Sequence, residues 1–123
     1  MWGVTSDDPT PDDLLPLPPA TFHILLSLAV EDRHGYAIIQ DVAARTGGAV
    51  KLSAGTLYRS IQRMLEQDLL VELHQRPAPA DDDERRRYYR ITPFGEAVAR
   101  AEARRLAGLV KLAKATGWVP KGA

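Results

Sequence analysis

The spacing of apolar side chains changes twice along the chain, and those changes divide it into elements. A first helix should begin at Pro18-Pro19, because proline suits a first turn, and end at Glu31-Asp32. Phe22, Leu25, Leu26 and Ala29 form its apolar stripe. A second runs from about Gly35 to Thr46, with Tyr36, Ile39, Val42 and Ala43 inward and Gly47-Gly48 as its stop. The stretch LSAGTLYRSIQRML then puts Leu57, Ile61, Met64 and Leu65 on one face of a third helix. Ser53 is its cap, since a serine hydroxyl accepts from a free N–H two or three residues on. It should close at Gln67-Asp68, where aspartate tolerates left-handed backbone.

Beyond that point the period becomes two. LLVELH sets Leu69, Val71 and Leu73 against Leu70, Glu72 and His74, a half-buried strand. RPAPADDDE reads as a loop, and RRRYYRIT as a returning strand with Arg87, Tyr89 and Ile91 opposite Arg86, Tyr88 and Arg90. Together they make a β-hairpin with a long charged tip. Thr92-Pro93 opens a final helix to about Thr116, stopped by Gly117, whose uneven stripe is Val98, Ala101, Leu106, Leu109, Val110 and Ala113. So long a helix projects beyond a small core, and a second copy of the chain is the economical cover for it.

The fold class expected is mainly α with a small β-hairpin: a winged helix-turn-helix plus a long C-terminal dimerisation helix. The division expected is an acidic, proline-rich flexible arm over 1–17, on which Leu14, Leu15 and Leu17 can dock. A winged-helix DNA-binding domain follows over 18–92, then the dimerisation helix over 93–116 and a tail over 117–123.

The chain's 123 residues suit one domain, and with no cysteine it has neither disulfides nor thiolate-bound zinc. Net charge is zero but segregated. Asp7, Asp8, Asp12 and Asp13 face no basic residue within 1–17, whereas Arg85 onward holds ten Lys or Arg against Glu96 and Glu102. No lysine or arginine precedes Arg33, and ILLSLAV is far shorter than a membrane span, so a cytoplasmic protein without membrane attachment is expected. His23, His34 and His74 are scattered, which makes no metal site. Nucleophile-elbow, Walker and dinucleotide-binding patterns are missing, so neither an enzyme nor a cofactor is expected.

In a winged helix the third helix enters the major groove. Its outer arc carries Thr56, Tyr58, Arg59, Gln62 and Arg63. A solvated polar face is the plain reading of any such arc, but arginine and glutamine are also the side chains that pair twice with base edges. Ser53, Thr56 and Tyr58 suit phosphates, as does Lys51 just before the helix, and Gly55 permits close approach of backbone. Arg85, Arg86 and Arg87 of the wing could meet phosphates or pair with Asp81, Asp82, Asp83 and Glu84.

Three segments, HGYAIIQDVAARTGG, LSAGTLYRSIQRMLEQDLL and ERRRYYRITPFGEA, resemble in order and spacing the PadR family of bacterial transcriptional regulators, over about Pro16 to Ala115. The resemblance is to its small members. It implies a homodimeric repressor on a roughly palindromic operator of double-stranded DNA, joined through the last helix with help from the first. The interface residues would be Phe22, Leu25, Leu26, Val98, Leu106, Leu109, Val110 and Ala113. It also implies that Tyr36 meets a phosphate, although packing beneath the third helix is an alternative. A small aromatic or drug-like effector is implied for some members, with Phe22 and Trp118 as contacts, although Trp118 pinning the chain end is the simpler reading. Arg59 stands where the family often has proline, Asp68 where it has glycine, and the acid run at 81–84 is unusual. Zero net charge and that acid run favour the alternative, a winged-helix protein–protein interaction module without DNA binding.

Overall fold

The structure, a computed structural model, describes residues 8–73 and 87–120. Helix α1 (Pro19–Val30) starts on proline as expected. It is apolar on all sides, so spacing alone cannot choose its inner face. The face that packs carries Thr21, Ile24, Leu25 and Leu28, whereas Leu26 is 41% exposed and Ala29 lies at the surface. The expected stripe is therefore rotated.

Helix α2 (Gly35–Arg45) is capped by His34, whose Nδ1 accepts from the Ala37 N–H at 3.1 Å. Gly47 and Gly48, at φ 61° and 85°, stop it. Ile38 and Val42 are its buried apolar residues. Tyr36, read as inward, is instead 61% exposed. Gly35 takes the inner place, because a Cβ there would lie 2.5 Å from the Tyr58 hydroxyl and 3.0 Å from Leu57.

Helix α3 (Ala54–Glu66) follows its local chemistry closely. Ser53 caps it by accepting from the Thr56 N–H at 3.1 Å, and Leu57, Ile61 and Met64 are buried in the core. Asp68 leaves it at φ 61°.

The expected hairpin is part of a three-stranded antiparallel sheet. Strand β1 (Arg33–His34), between α1 and α2, pairs with β3 (Tyr88–Ile91), which also pairs with β2 (Leu70–Leu73), giving the order β1-β3-β2. Leu70 stands opposite Ile91 and Leu73 opposite Tyr88, while Arg33 faces Tyr89. Two residues carry no period, so β1 had no sequence signature. Tyr89 is the core-facing tyrosine of β3. Arg85, Arg86 and the acid run lie outside the described residues.

The start of helix α4 (Pro93–Ala115) is tied through Thr92 to the turn that follows α3. Thr92 Oγ1 accepts from the Gly95 N–H at 2.8 Å and donates to the Asp68 carbonyl at 2.6 Å. Gly95 sits hard against the Leu69 carbonyl, with no room for a Cβ. Val98, Ala101 and Glu102 are buried, after which the helix leaves the body: Leu109, Val110 and Leu112 are 49%, 45% and 66% exposed. Leu25 and Val98, expected at a dimer interface, are wholly buried within the chain and so belong to its own core.

The segment expected to be a flexible arm is, from Pro11 on, docked. Pro11–Leu14 forms a 3-10 turn against α4, Leu14 and Leu15 pack on the core, and Leu17 is buried. Trp118 is 83% exposed, so it does not pin the chain end to the body. No helix among the described residues is long and apolar enough to cross a membrane.

Candidate nucleic-acid interface

With the apolar side of α3 held in the core, its remaining side chains are presented together. Ser53, Gly55, Tyr58, Arg59, Gln62 and Arg63 are exposed and Thr56 is half-buried. Lys51 is exposed just before the helix. Tyr58 lies over Gly35, which links this face to the first turn of α2, where Tyr36 projects. At the start of the helix, Ser53 Oγ donates to Thr56 Oγ1 at 3.1 Å, and Arg59 Nη2 donates to the same oxygen at 3.5 Å.

Most of the described arginines outside this face are paired, Arg104 on α4 being the exception. Among the described residues, Arg33, Arg45, Arg87, Arg90, Arg100 and Arg105 each have a carboxylate partner. Arg59 and Arg63 have none. Several of the other pairs fasten the sheet in place. Arg90 grips Asp32 at the end of α1 through Nε at 3.1 Å and Nη2 at 2.8 Å, and this holds the Arg90 pKa above its ordinary value. Arg33 donates from Nε to the Ser27 carbonyl at 3.1 Å and meets Asp41 at 3.4 Å.

Between α3 and the wing lies a groove of about 430 Å³, lined by Tyr58, Ile61, Gln62, Leu65, Glu72, Arg87 and Tyr89. Arg87 pairs with Glu72 at 3.6 Å across the strands, while the acid run that was its other candidate partner lies outside the described residues. Burial raises the Tyr89 hydroxyl pKa, and the Glu72 charge adds to it. His34 stacks edge-on against Tyr88, with ring centres 5.3 Å apart, so the cap of α2 also abuts the wing. Reading from sequence missed Asp32, Glu72 and Arg90. Their partners are distant in the chain, so local spacing carried no trace of them.

Three helices, a small antiparallel sheet and a projecting last helix define a winged helix-turn-helix protein, with α3 in the position of the recognition helix. Residues 24–101 match the transcriptional regulator PadR-like family, and the chain belongs to that family. It is 39% identical over 75 residues to an uncharacterized protein of Lysinibacillus sphaericus, across 60% of this chain and 66% of that protein, just under two thirds of its length. Its fold resembles a PadR family transcription regulator from Clostridium difficile (TM-score 0.68, 21% identity, 80% of this chain and 98% of that one). It also resembles a transcriptional regulator from Clostridium thermocellum (TM-score 0.66, 23% identity, 77% and 86%).

Proposed function

We propose that the protein is a cytoplasmic DNA-binding transcriptional repressor, acting as a homodimer on a near-palindromic operator. The observation that carries this is the outer face of α3, which presents Arg59, Gln62 and Arg63 without a carboxylate partner among the described residues. In a major groove these side chains would address base edges, while Lys51, Ser53, Thr56, Tyr58 and Tyr36 would hold phosphates. The chain's own packing does not require Gly55. A Cβ there would meet only the movable tip of Arg59, at 3.3 Å, so the backbone is open to a partner's approach once that side chain turns to a base. Arg87, with Arg85 and Arg86, would follow the backbone from the wing. Its exposed pair with Glu72 is of the weak kind that a phosphate displaces.

The exposed stripe of α4 supports the dimer. Leu106, Leu109, Val110 and Ala113 continue the side of the helix on which Val98 is buried, and Phe22 and Leu26 of α1 offer further apolar surface. Two copies would set their α3 helices about one turn of DNA apart, roughly 34 Å, or a small multiple of it. A small aromatic effector held near Phe22 and Trp118 is the remaining part of the proposal. The test is a salt titration of binding to fragments of the gene's own upstream DNA. A regulator should lose log K linearly with log[salt], by about 0.9 for each phosphate neutralised. No binding even at low salt would defeat this reading in favour of an interaction module.

A further inference from the structure

The guanidinium of Arg59 is folded back along α3. Its Nη2 donates to Thr56 Oγ1 at 3.5 Å, and its Nη1 lies 3.3 Å from where a Cβ on residue 55 would stand. The cationic end therefore lies across Gly55, at the leading end of the helix. Thr56 Oγ1 also receives the Ser53 hydroxyl, and Ser53 in turn receives the Thr56 N–H. Cap, threonine and arginine form one chain of hydrogen bonds.

We propose that Arg59 reads a guanine in each operator half-site, and that Gly55 and Thr56 are the residues that position its guanidinium for that contact. This rests on the reading that α3 enters the major groove. Guanine is the base that presents two acceptors there, O6 and N7, matching the paired N–H groups of a guanidinium. The first residues of a recognition helix are the ones that reach base edges. A free arginine has many rotamers to lose on binding. One already tied to Thr56 loses fewer, and glycine at 55 leaves the space in which it lies. Among the described residues Arg59 has no carboxylate partner to surrender, unlike Arg87 or Arg90.

The experiment selects bound duplexes from a pool randomised in the half-site. It uses the full chain, Arg59→Ala, Thr56→Val, Thr56→Ser, Gly55→Ala, and each of the last three combined with Arg59→Ala. The wild type should enrich guanine at one position per half-site. Arg59→Ala should lose that preference while still binding DNA through its other contacts. Thr56→Val and Gly55→Ala should each weaken binding about 3- to 10-fold, with Thr56→Ser close to wild type. In the Arg59→Ala background both costs should shrink, leaving only the part that belongs to the direct phosphate and backbone contacts proposed above. Gly55→Ala should also melt at a higher temperature, since alanine is the better helix former, which separates lost affinity from lost fold. Guanine preference surviving Arg59→Ala would overturn the proposal. Undiminished costs of Thr56→Val and Gly55→Ala in that background would overturn the positioning roles and leave both residues as direct DNA contacts only. A wild type that binds no duplex would remove the groove reading itself.

Discussion

Replacing Glu102 with alanine should unfasten the N-terminal segment from α4. The Glu102 residue is 2% exposed, and its carboxylate accepts three hydrogen bonds: Leu17 N–H at 3.2 Å, Arg105 Nε at 2.6 Å and Arg105 Nη2 at 3.0 Å. The arginine side chain is 34% exposed and can turn to water when its partner is gone. The Leu17 N–H cannot, because Leu17 is itself buried in the core. A buried donor left without an acceptor costs about 1–3 kcal/mol, and the lost side-chain packing adds to it. A total near 2 kcal/mol corresponds to a fall of roughly 6–10 °C in Tm for a domain of this size. Glu102→Gln keeps an acceptor for Leu17 but turns an amide toward the guanidinium, so it should fall in between. Hydrogen bonding from Arg105 and from the Leu17 N–H, against the opposing effect of burial, holds the Glu102 pKa below its ordinary value. A depressed folded pKa means that this stabilisation is present above the unfolded pKa and is lost as pH falls through the folded one. The gap between wild type and Glu102→Gln should therefore close on acidification below the usual glutamate range. The assay is thermal unfolding at fixed protein concentration across that pH series. A Glu102→Ala protein melting within about 2 °C of wild type at neutral pH would refute the reasoning.

Other substitutions test separate joints of the fold. Gly95→Ala drives a methyl into the Leu69 carbonyl and should lower the urea midpoint by the equivalent of about 1–3 kcal/mol, with the slope unchanged. Asp68→Gly should move that midpoint the other way, by the equivalent of about 1 kcal/mol or less, because it relieves a non-glycine residue at φ 61°; a loss of stability would mean that the Asp68 side chain has work of its own. Leu109→Glu with Leu112→Glu should turn a sedimenting dimer into monomer while leaving helix content intact, since both side chains are exposed in the protomer. A dimer that persists would take this face of α4 out of the interface.

Residues whose reasons are local were legible without the structure. The Ser53 cap, the left-handed Asp68, the two glycines after α2 and the proline starts of α1 and α4 depend on neighbours within a few positions. So did the alternation that made one of two tyrosines in β3 a core residue. What could not be read was anything closed by distant partners. The bidentate grip of Arg90 on Asp32, the Thr92 hydroxyl tying α4 to the turn after α3 and the Leu17 bond to Glu102 join residues 58, 24 and 85 positions apart. β1 exists only because β3 offers it an edge. The inner face of α1 was misread for a related reason, since a helix apolar all round is oriented by what it meets.

The same limit explains why the proposed dimer surface was drawn too wide. Periodicity reports which side of α4 is apolar, not what covers it. Val98 and Leu109 lie on one side of the helix, but the first is in the chain's own core and the second is half exposed. Glu102 and Arg105 stand at the changeover. A carboxylate buried there, with its arginine reaching toward solvent, suits the last turn that the body can cover and no other. One turn earlier both groups would be stranded in the core, and one turn later neither would be buried. The pair thus fixes how much of α4 the protomer keeps, and so how much apolar helix is left for a second copy. Polar substitutions at Leu109 and Leu112 should affect assembly, whereas those at Val98 and Leu25 should affect folding first. That division could not have been drawn from the uneven apolar spacing of α4 alone.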